Sequence, residues 1–135
     1  MADPAALNLA INVYNACHYL GMPECDVHLT HAVVYLSMAP KSNALYVACE
    51  NVKKDIEELP AEPVPKQIRN APTKLMQEAG YNKGYQYAHD TAEKLTKMQC
   101  LPDALRDRRY YLPTDQGREA KVKERLEAIL EWKKG

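Results

Sequence analysis

Residues 31–50 read HAVVYLSMAPKSNALYVACE, and three features of this stretch decide the fold. The run from Ala32 to Ala39 holds only Tyr35 and Ser37 as polar-capable residues, which predicts a central helix that is apolar over most of its surface. Pro40 ends it, because the ring clashes with the preceding turn and the nitrogen carries no hydrogen. Ser42 or Asn43 then offers a side-chain oxygen to the first amides of another helix, running toward Leu59. Helix, tight turn and helix, with no strand-like alternation on either side, predict an all-α helical bundle.

Toward the N-terminus, Asp3 followed by Pro4 is a helix start: the carboxylate accepts first-turn amides and proline already holds a helical φ. The first helix is expected to reach Leu20, with Gly21 ending it and Pro23 or Asp26 opening the second. It carries two stripes, Leu7, Ala10, Ile11 and Tyr14 on one face and Ala6, Leu9, Val13, Ala16 and Leu20 on another, so it needs more than one neighbour. In the third helix Leu45, Cys49, Val52 and Ile56 are expected to face inward, opposite a solvent side of Asn51, Lys53, Lys54, Asp55, Glu57 and Glu58.

Toward the C-terminus, Pro60, Pro63 and Pro65 predict an extended, ordered connector rather than a domain boundary. Asn70 and Pro72 start a short helix ending at Gly80, with Leu75, Met76 and Ala79 inward. From Tyr81 to Tyr111 the periodicity fails, and extended pieces with one short helix near Thr91 to Met98 are expected. Pro113 and Thr114 introduce a last helix with a stripe of Val122, Leu126, Ile129 and Leu130, and Lys133 and Lys134 suit its C-terminal end. At 135 residues this is one domain, 1–135, joined by irregular tyrosine-rich connections.

Composition excludes several classes. Lys+Arg and Asp+Glu stand at 18 each, so no global charge excess holds a nucleic acid or an anionic membrane. No run of about 18 apolar residues and no signal-type leader occurs, which predicts a soluble, cytoplasmic protein that does not use a membrane. Cys17, Cys25, Cys49 and Cys100 lack the pairing of a disulfide scaffold and read as reduced thiols.

No phosphate loop, GxSxG elbow or HExxH helix is present, and Gly80-Tyr81-Asn82-Lys83-Gly84 lacks both the glycines and the preceding strand. No catalytic residue, cofactor or metal is therefore expected. Cys17, His18, Cys25, His28 and His31 are metal-ligand types, but their spacing fits no compact zinc motif. Lys66, Arg69, Lys74 and Lys83 form a basic stretch, and a second runs from Arg106 to Arg125. Tyrosines interleave with both, yet mixed carboxylates and helical pairs such as Glu119 with Lys123 fit ordinary solvated faces better.

Several strings resemble the C-terminal part of the replication-associated recombination protein A (RarA/MgsA) family of AAA+ ATPases, to which Werner helicase-interacting protein is related. They are Ala2-Asp3-Pro4, Val34-Tyr35-Leu36, Ala39-Pro40-Lys41-Ser42-Asn43-Ala44 and Arg69-Asn70-Ala71-Pro72-Thr73-Lys74-Leu75-Met76, then Gly84-Tyr85, Tyr87-Ala88-His89-Asp90, Arg109-Tyr110-Tyr111 and Pro113-Thr114. The resemblance implies a helical domain like the clamp-loader collar, which ties an ATPase into a homotetramer. It also implies a parent that is a DNA-dependent ATPase acting at replication forks, with its nucleotide-binding motifs before the point where this chain begins.

Two functions follow as expectations. The first is self-association, with Leu9, Val13, Val33 and Leu36 at the interface and the chain itself as partner. The second is contact with DNA or with another replication protein, through Lys41, Arg69 and Lys74. Placement on the nucleoid is expected if the source is bacterial.

Overall fold

The computed structural model describes residues 1–135 and holds five helices: α1 Ala5–Leu20, α2 Asp26–Met38, α3 Ala44–Glu58, α4 Lys74–Glu78 and α5 Glu119–Lys134. Single 3-10 turns stand at Lys66–Ile68, Ala88–Asp90 and Asp103–Leu105, and there is no strand, so the chain is all-helical as its sequence predicts. Two compact units form: Met1–Cys49 with Tyr111–Ala128, and Glu50–Tyr110 with Ile129–Gly135.

In the first unit, α1 begins as the Asp3-Pro4 pair requires. One Asp3 carboxylate oxygen accepts the Ala5 N–H at 2.9 Å, and the other accepts the Tyr35 hydroxyl of α2 at 2.8 Å. That bond to Asp3 holds the Tyr35 phenol protonated above its ordinary range. Gly21, at φ 75°, closes α1 by giving its N–H to Cys17 O at 3.0 Å. α1 packs on α2. Its packed side is Ala6, Leu9, Val13 and Ala16, with Val13 8 % exposed, while Cys25, His28, Ala32 and Tyr35 are the covered positions around α2.

After α2 the backbone turns extended at Ala39 and passes through Pro40. The Lys41 ammonium then lies across the open end of α2, donating to Leu36 O, Ser37 O and Ala39 O at 3.2, 3.2 and 3.0 Å. Ser42 Oγ accepts the Ala44 N–H at 3.1 Å and so starts α3. The covered face of α3 is Ala44, Ala48, Val52 and Leu59 together with Asp55, expected on the solvent side but drawn in by Tyr110 and Arg108; Leu45, Cys49 and Ile56 are exposed. Alanines let backbones approach closely, so the helix packs on its smallest residues and leaves the larger apolar ones outside.

In the second unit, Pro60, Pro63 and Pro65 lie within the unit and outside any helix, as an ordered connector should. Thr73, rather than Asn70 or Pro72, caps α4 by accepting the Met76 N–H at 3.3 Å. Leu75, Met76 and Ala79 are exposed instead of inward, because so short a helix finds no opposing surface within the chain.

The helix expected near Thr91 to Met98 does not form. Thr91 Oγ1 captures the Leu95 N–H at 3.1 Å and has its one hydrogen within reach of both Ala88 O and Leu95 O, while Lys94 stands at φ 55°, which a right-handed helix excludes. Elsewhere in the unit Asp55 accepts Arg108 Nε at 3.0 Å and the Tyr110 hydroxyl at 2.9 Å. In α5 the stripe Val122, Leu126, Ile129 and Leu130 is half-buried throughout, matching its helical spacing.

Candidate functional site

The α1–α2 hairpin is built almost without ions. Between residues 5 and 38 only Glu24 and Asp26 carry formal charge, out of 18 cations and 18 carboxylates in the chain. With one side of each helix spent on the other, the remaining sides stay open: Leu7, Ile11 and Tyr14 on α1, Val27, Leu29 and Val34 on α2. No residue of α2 is fully buried. Depletion of charge together with exposed aliphatic and tyrosine side chains distinguishes the centre of a protein interface from ordinary surface.

The four expected interface residues divide on this geometry. Val33, 65 % exposed, and Leu36, 37 % exposed, lie open on α2. Val13 is buried and Leu9 half-buried on the packed side of α1, so both are occupied by packing within the chain. The free α1 stripe is the other one, Leu7, Ile11 and Tyr14.

The expected contact residues are partly engaged as well. Lys41 of the first unit serves the α2 terminus. Arg69 of the second donates to the Tyr81 hydroxyl at 3.1 Å and to Val64 O, with its guanidinium carbon 5.0 Å from the Tyr81 ring centre. Lys74 stands exposed on α4.

The hairpin is set on a charged centre that the sequence reading placed on the surface. Glu119, the first residue of α5, is 0 % exposed. One carboxylate oxygen accepts the Ser42 hydroxyl at 2.7 Å and the Thr114 hydroxyl and amide at 2.7 and 3.0 Å; the other accepts the Tyr111 hydroxyl at 3.1 Å and faces the Met1 nitrogen at 2.9 Å. These donors, the Ser42 hydroxyl foremost, hold the carboxyl well below its usual range although burial opposes them. Lys123, meanwhile, bonds Asp115 at 2.8 Å and not Glu119, and that bond raises its pKa.

Close by, the Arg118 N–H donates to Ala2 O at 2.8 Å. A Cβ on Gly117 would fall inside the Ala2 carbonyl oxygen and 2.6 Å from Pro40 Cγ, at φ 51°. Three strings far apart in sequence, at Met1-Ala2, at Pro40 to Ser42 and at Tyr111 to Thr114, thus meet around one carboxylate. The available signal was the set of hydroxyls in those strings, Ser42, Tyr111 and Thr114, which need a common acceptor once buried.

No three His, Cys, Asp or Glu side chains are placed to share a metal ion. Cys25 is buried with its thiol 3.2 Å from Met22 Sδ, and burial, followed by the adjacent Cys17 thiol, raises its pKa and disfavours a thiolate ligand. No helix is long and apolar enough to cross a membrane.

A family model described as the C-terminal part of the MgsA AAA+ ATPase matches residues 1–130. Replication-associated recombination protein A of Haemophilus influenzae is 40 % identical over 134 residues, 98 % of this chain and 30 % of that protein. The protein of the same name from Escherichia coli K12 is 41 % identical over 131 residues, 96 % of this chain and 29 % of the relative. ATPase WRNIP1 of Dictyostelium discoideum is 38 % identical over 113 residues, 82 % of this chain and 13 % of the relative. The chain therefore spans less than a third of the length of each of these relatives.

Proposed function

Because the chain belongs to the MgsA AAA+ ATPase C-terminal family, matched from residue 1 to 130, we propose that it is the self-association domain of such an ATPase. It joins copies of itself, as a homotetramer, through the open sides of the α1–α2 hairpin. The observation that carries this reading is the hairpin's unpartnered apolar surface: Val33 and Leu36 on α2 with Leu7, Ile11 and Tyr14 on α1, in a stretch holding only two formal charges. On this reading Leu9 and Val13 shape the hairpin and the outer stripe meets the neighbouring copy. The full 1–135 chain acts as one domain, consistent with a single family model running over nearly all of it.

The ATPase label belongs to the family as a whole, and nucleotide turnover is assigned to the parent rather than to this part of it. On this reading the parent is a DNA-dependent ATPase that acts at replication forks, in the cytoplasm or on the nucleoid, and meets other replication proteins; relatives named for replication-associated recombination support it. Light scattering of the 135-residue chain tests the central point. A mass several times that of one chain at micromolar concentration is the expected result, and a chain that stays monomeric at high micromolar concentration overturns it.

A further inference from the structure

In the second unit, residues 66–97 carry six cations, Lys66, Arg69, Lys74, Lys83, Lys94 and Lys97, against three carboxylates, a net charge of +3 in a chain that is neutral overall. None of the six is ion-paired; every ion pair of the chain lies elsewhere. Those that are anchored rest on neutral groups: Lys66 on Ala79 O at 3.3 Å, Arg69 on Val64 O and Tyr81, Lys94 on His89 O, and Lys97 over the Trp132 ring. A cation held by a carbonyl or a ring keeps its full charge available to an anion.

Exposed aromatic faces stand in the middle of this stretch. Residues 82–87 are all exposed, with Tyr85 at 50 % and Tyr87 at 54 %. The one ring against Tyr87 is that of His89, at 5.1 Å between centres, and neither tyrosine hydroxyl makes a hydrogen bond. A Cβ added at Gly84 would meet nothing within 4 Å, so the chain between Lys83 and Tyr85 is open to an approaching ligand.

We propose that this surface binds single-stranded DNA, with unpaired bases stacking on Tyr85 and Tyr87 and the phosphates meeting Lys83, Lys74 and Arg69. Phosphate contact explains cations left without carboxylate partners, and base stacking explains rings left in water at the same place. A duplex keeps its base faces stacked internally and gains only the electrostatic part. The choice of DNA over RNA rests on the replication reading above; the surface itself does not.

The test is fluorescence anisotropy of a labelled oligothymidylate of about 20 nucleotides with the 135-residue chain at low salt. Saturable binding is expected, weakening with salt at a log–log slope of about −0.7 per phosphate contact. The double variant Tyr85→Ala/Tyr87→Ala should bind at least about tenfold more weakly, and Tyr85→Phe/Tyr87→Phe within about twofold of the wild type, since stacking needs the ring and not the hydroxyl. Lys83→Ala should flatten the salt slope.

Absence of saturable binding, an alanine variant of unchanged helix content that binds as well as wild type, or tighter binding of a duplex of equal length each overturns the proposal. A marked preference for oligouridylate overturns the assignment to DNA. If the alanine variant fails to fold, an unchanged affinity and slope in Lys83→Ala decides against the surface. Light scattering on the wild-type samples separates the readings: an oligomer of the expected mass that binds no DNA strikes this one, and a monomer that still binds DNA strikes only the self-association.

Discussion

Ser42 and Glu119 lie 77 positions apart and share a 2.7 Å hydrogen bond in which the hydroxyl donates to a carboxylate with no exposed surface. The same hydroxyl accepts the Ala44 N–H, so the start of α3 and the start of α5 are fixed by one oxygen. Ser42→Ala removes a bond to a charged group and a helix cap together. A loss of about 2–3 kcal/mol is expected in urea unfolding. Glu119→Gln should cost more, because an amide presents one acceptor where several donors converge, and a smaller effect than Ser42→Ala would contradict the central place of the carboxylate.

Acid exposes the same group. The folded chain holds the Glu119 carboxyl below its ordinary value of 4.5, so as pH falls through that value the unfolded chain takes up the proton first. Stability from Glu119 is therefore complete above the ordinary carboxylate range and is lost progressively as pH drops further toward the folded pKa. Wild type and Glu119→Gln should converge in stability in acid and diverge toward neutrality. Parallel curves from pH 3 to pH 7 would falsify this.

Gly117→Ala tests the close approach beside that carboxylate. The residue stands at φ 51°, and its added methyl meets the Ala2 carbonyl and the Pro40 ring. Strain in the left-handed region and a backbone clash should together cost about 2–4 kcal/mol. An alanine variant as stable as wild type would show that the Ala2 and Pro40 segments yield easily.

The two stripes of α1 should respond differently to charge. Val13→Asp places a charge in the packed seam with α2, so helix content by circular dichroism and mass by light scattering should both fall, with about 3–5 kcal/mol lost. Ile11→Asp or Val33→Asp, on open positions, should keep the helix signal and lower only the mass. An Ile11→Asp chain that unfolds would mean that the exposed stripe is needed for folding itself.

Tyr110→Phe isolates the Asp55 cluster of the second unit. Burial and the bond to Asp55 both hold this phenol protonated, so the variant loses one hydroxyl donor and leaves Asp55 with Arg108 alone. A loss of about 1 kcal/mol by chemical denaturation is expected, and spectroscopic titration of the wild type should show one tyrosine ionising above the ordinary value of 10.0 at this site.

The ends of the long helices were legible because Pro4, Gly21 and Pro40 act on the residues beside them. The face that α3 buries was not, since hydrophobicity favours Leu45 and Ile56 while close approach favours Ala44 and Ala48. The same limit hid Glu119: a glutamate four residues before a lysine on a helix reads as a surface pair, and only donors brought from Ser42, Tyr111 and Thr114 make its burial possible. Thr91 failed the helix prediction for a local reason, a hydroxyl that satisfies the Leu95 amide before the helix can. For α1 the presence of two apolar faces was plain, but which of them the chain keeps for itself depended on α2.

The scarcity of charge on the α1–α2 hairpin also bears on encounter and fidelity. Opposite charges across a contact speed association, and like charges in the wrong pairing reject strangers. A surface whose only formal charges are Glu24 and Asp26 does little of either. Copies meeting through it would associate at the unsteered rate of about 10⁵–10⁶ M⁻¹s⁻¹, and only the shapes of Leu7, Ile11, Tyr14 and Val33 would tell one partner from another. Two paralogous chains with hairpins of similar contour would then form mixed assemblies in the same cell unless their contours had diverged.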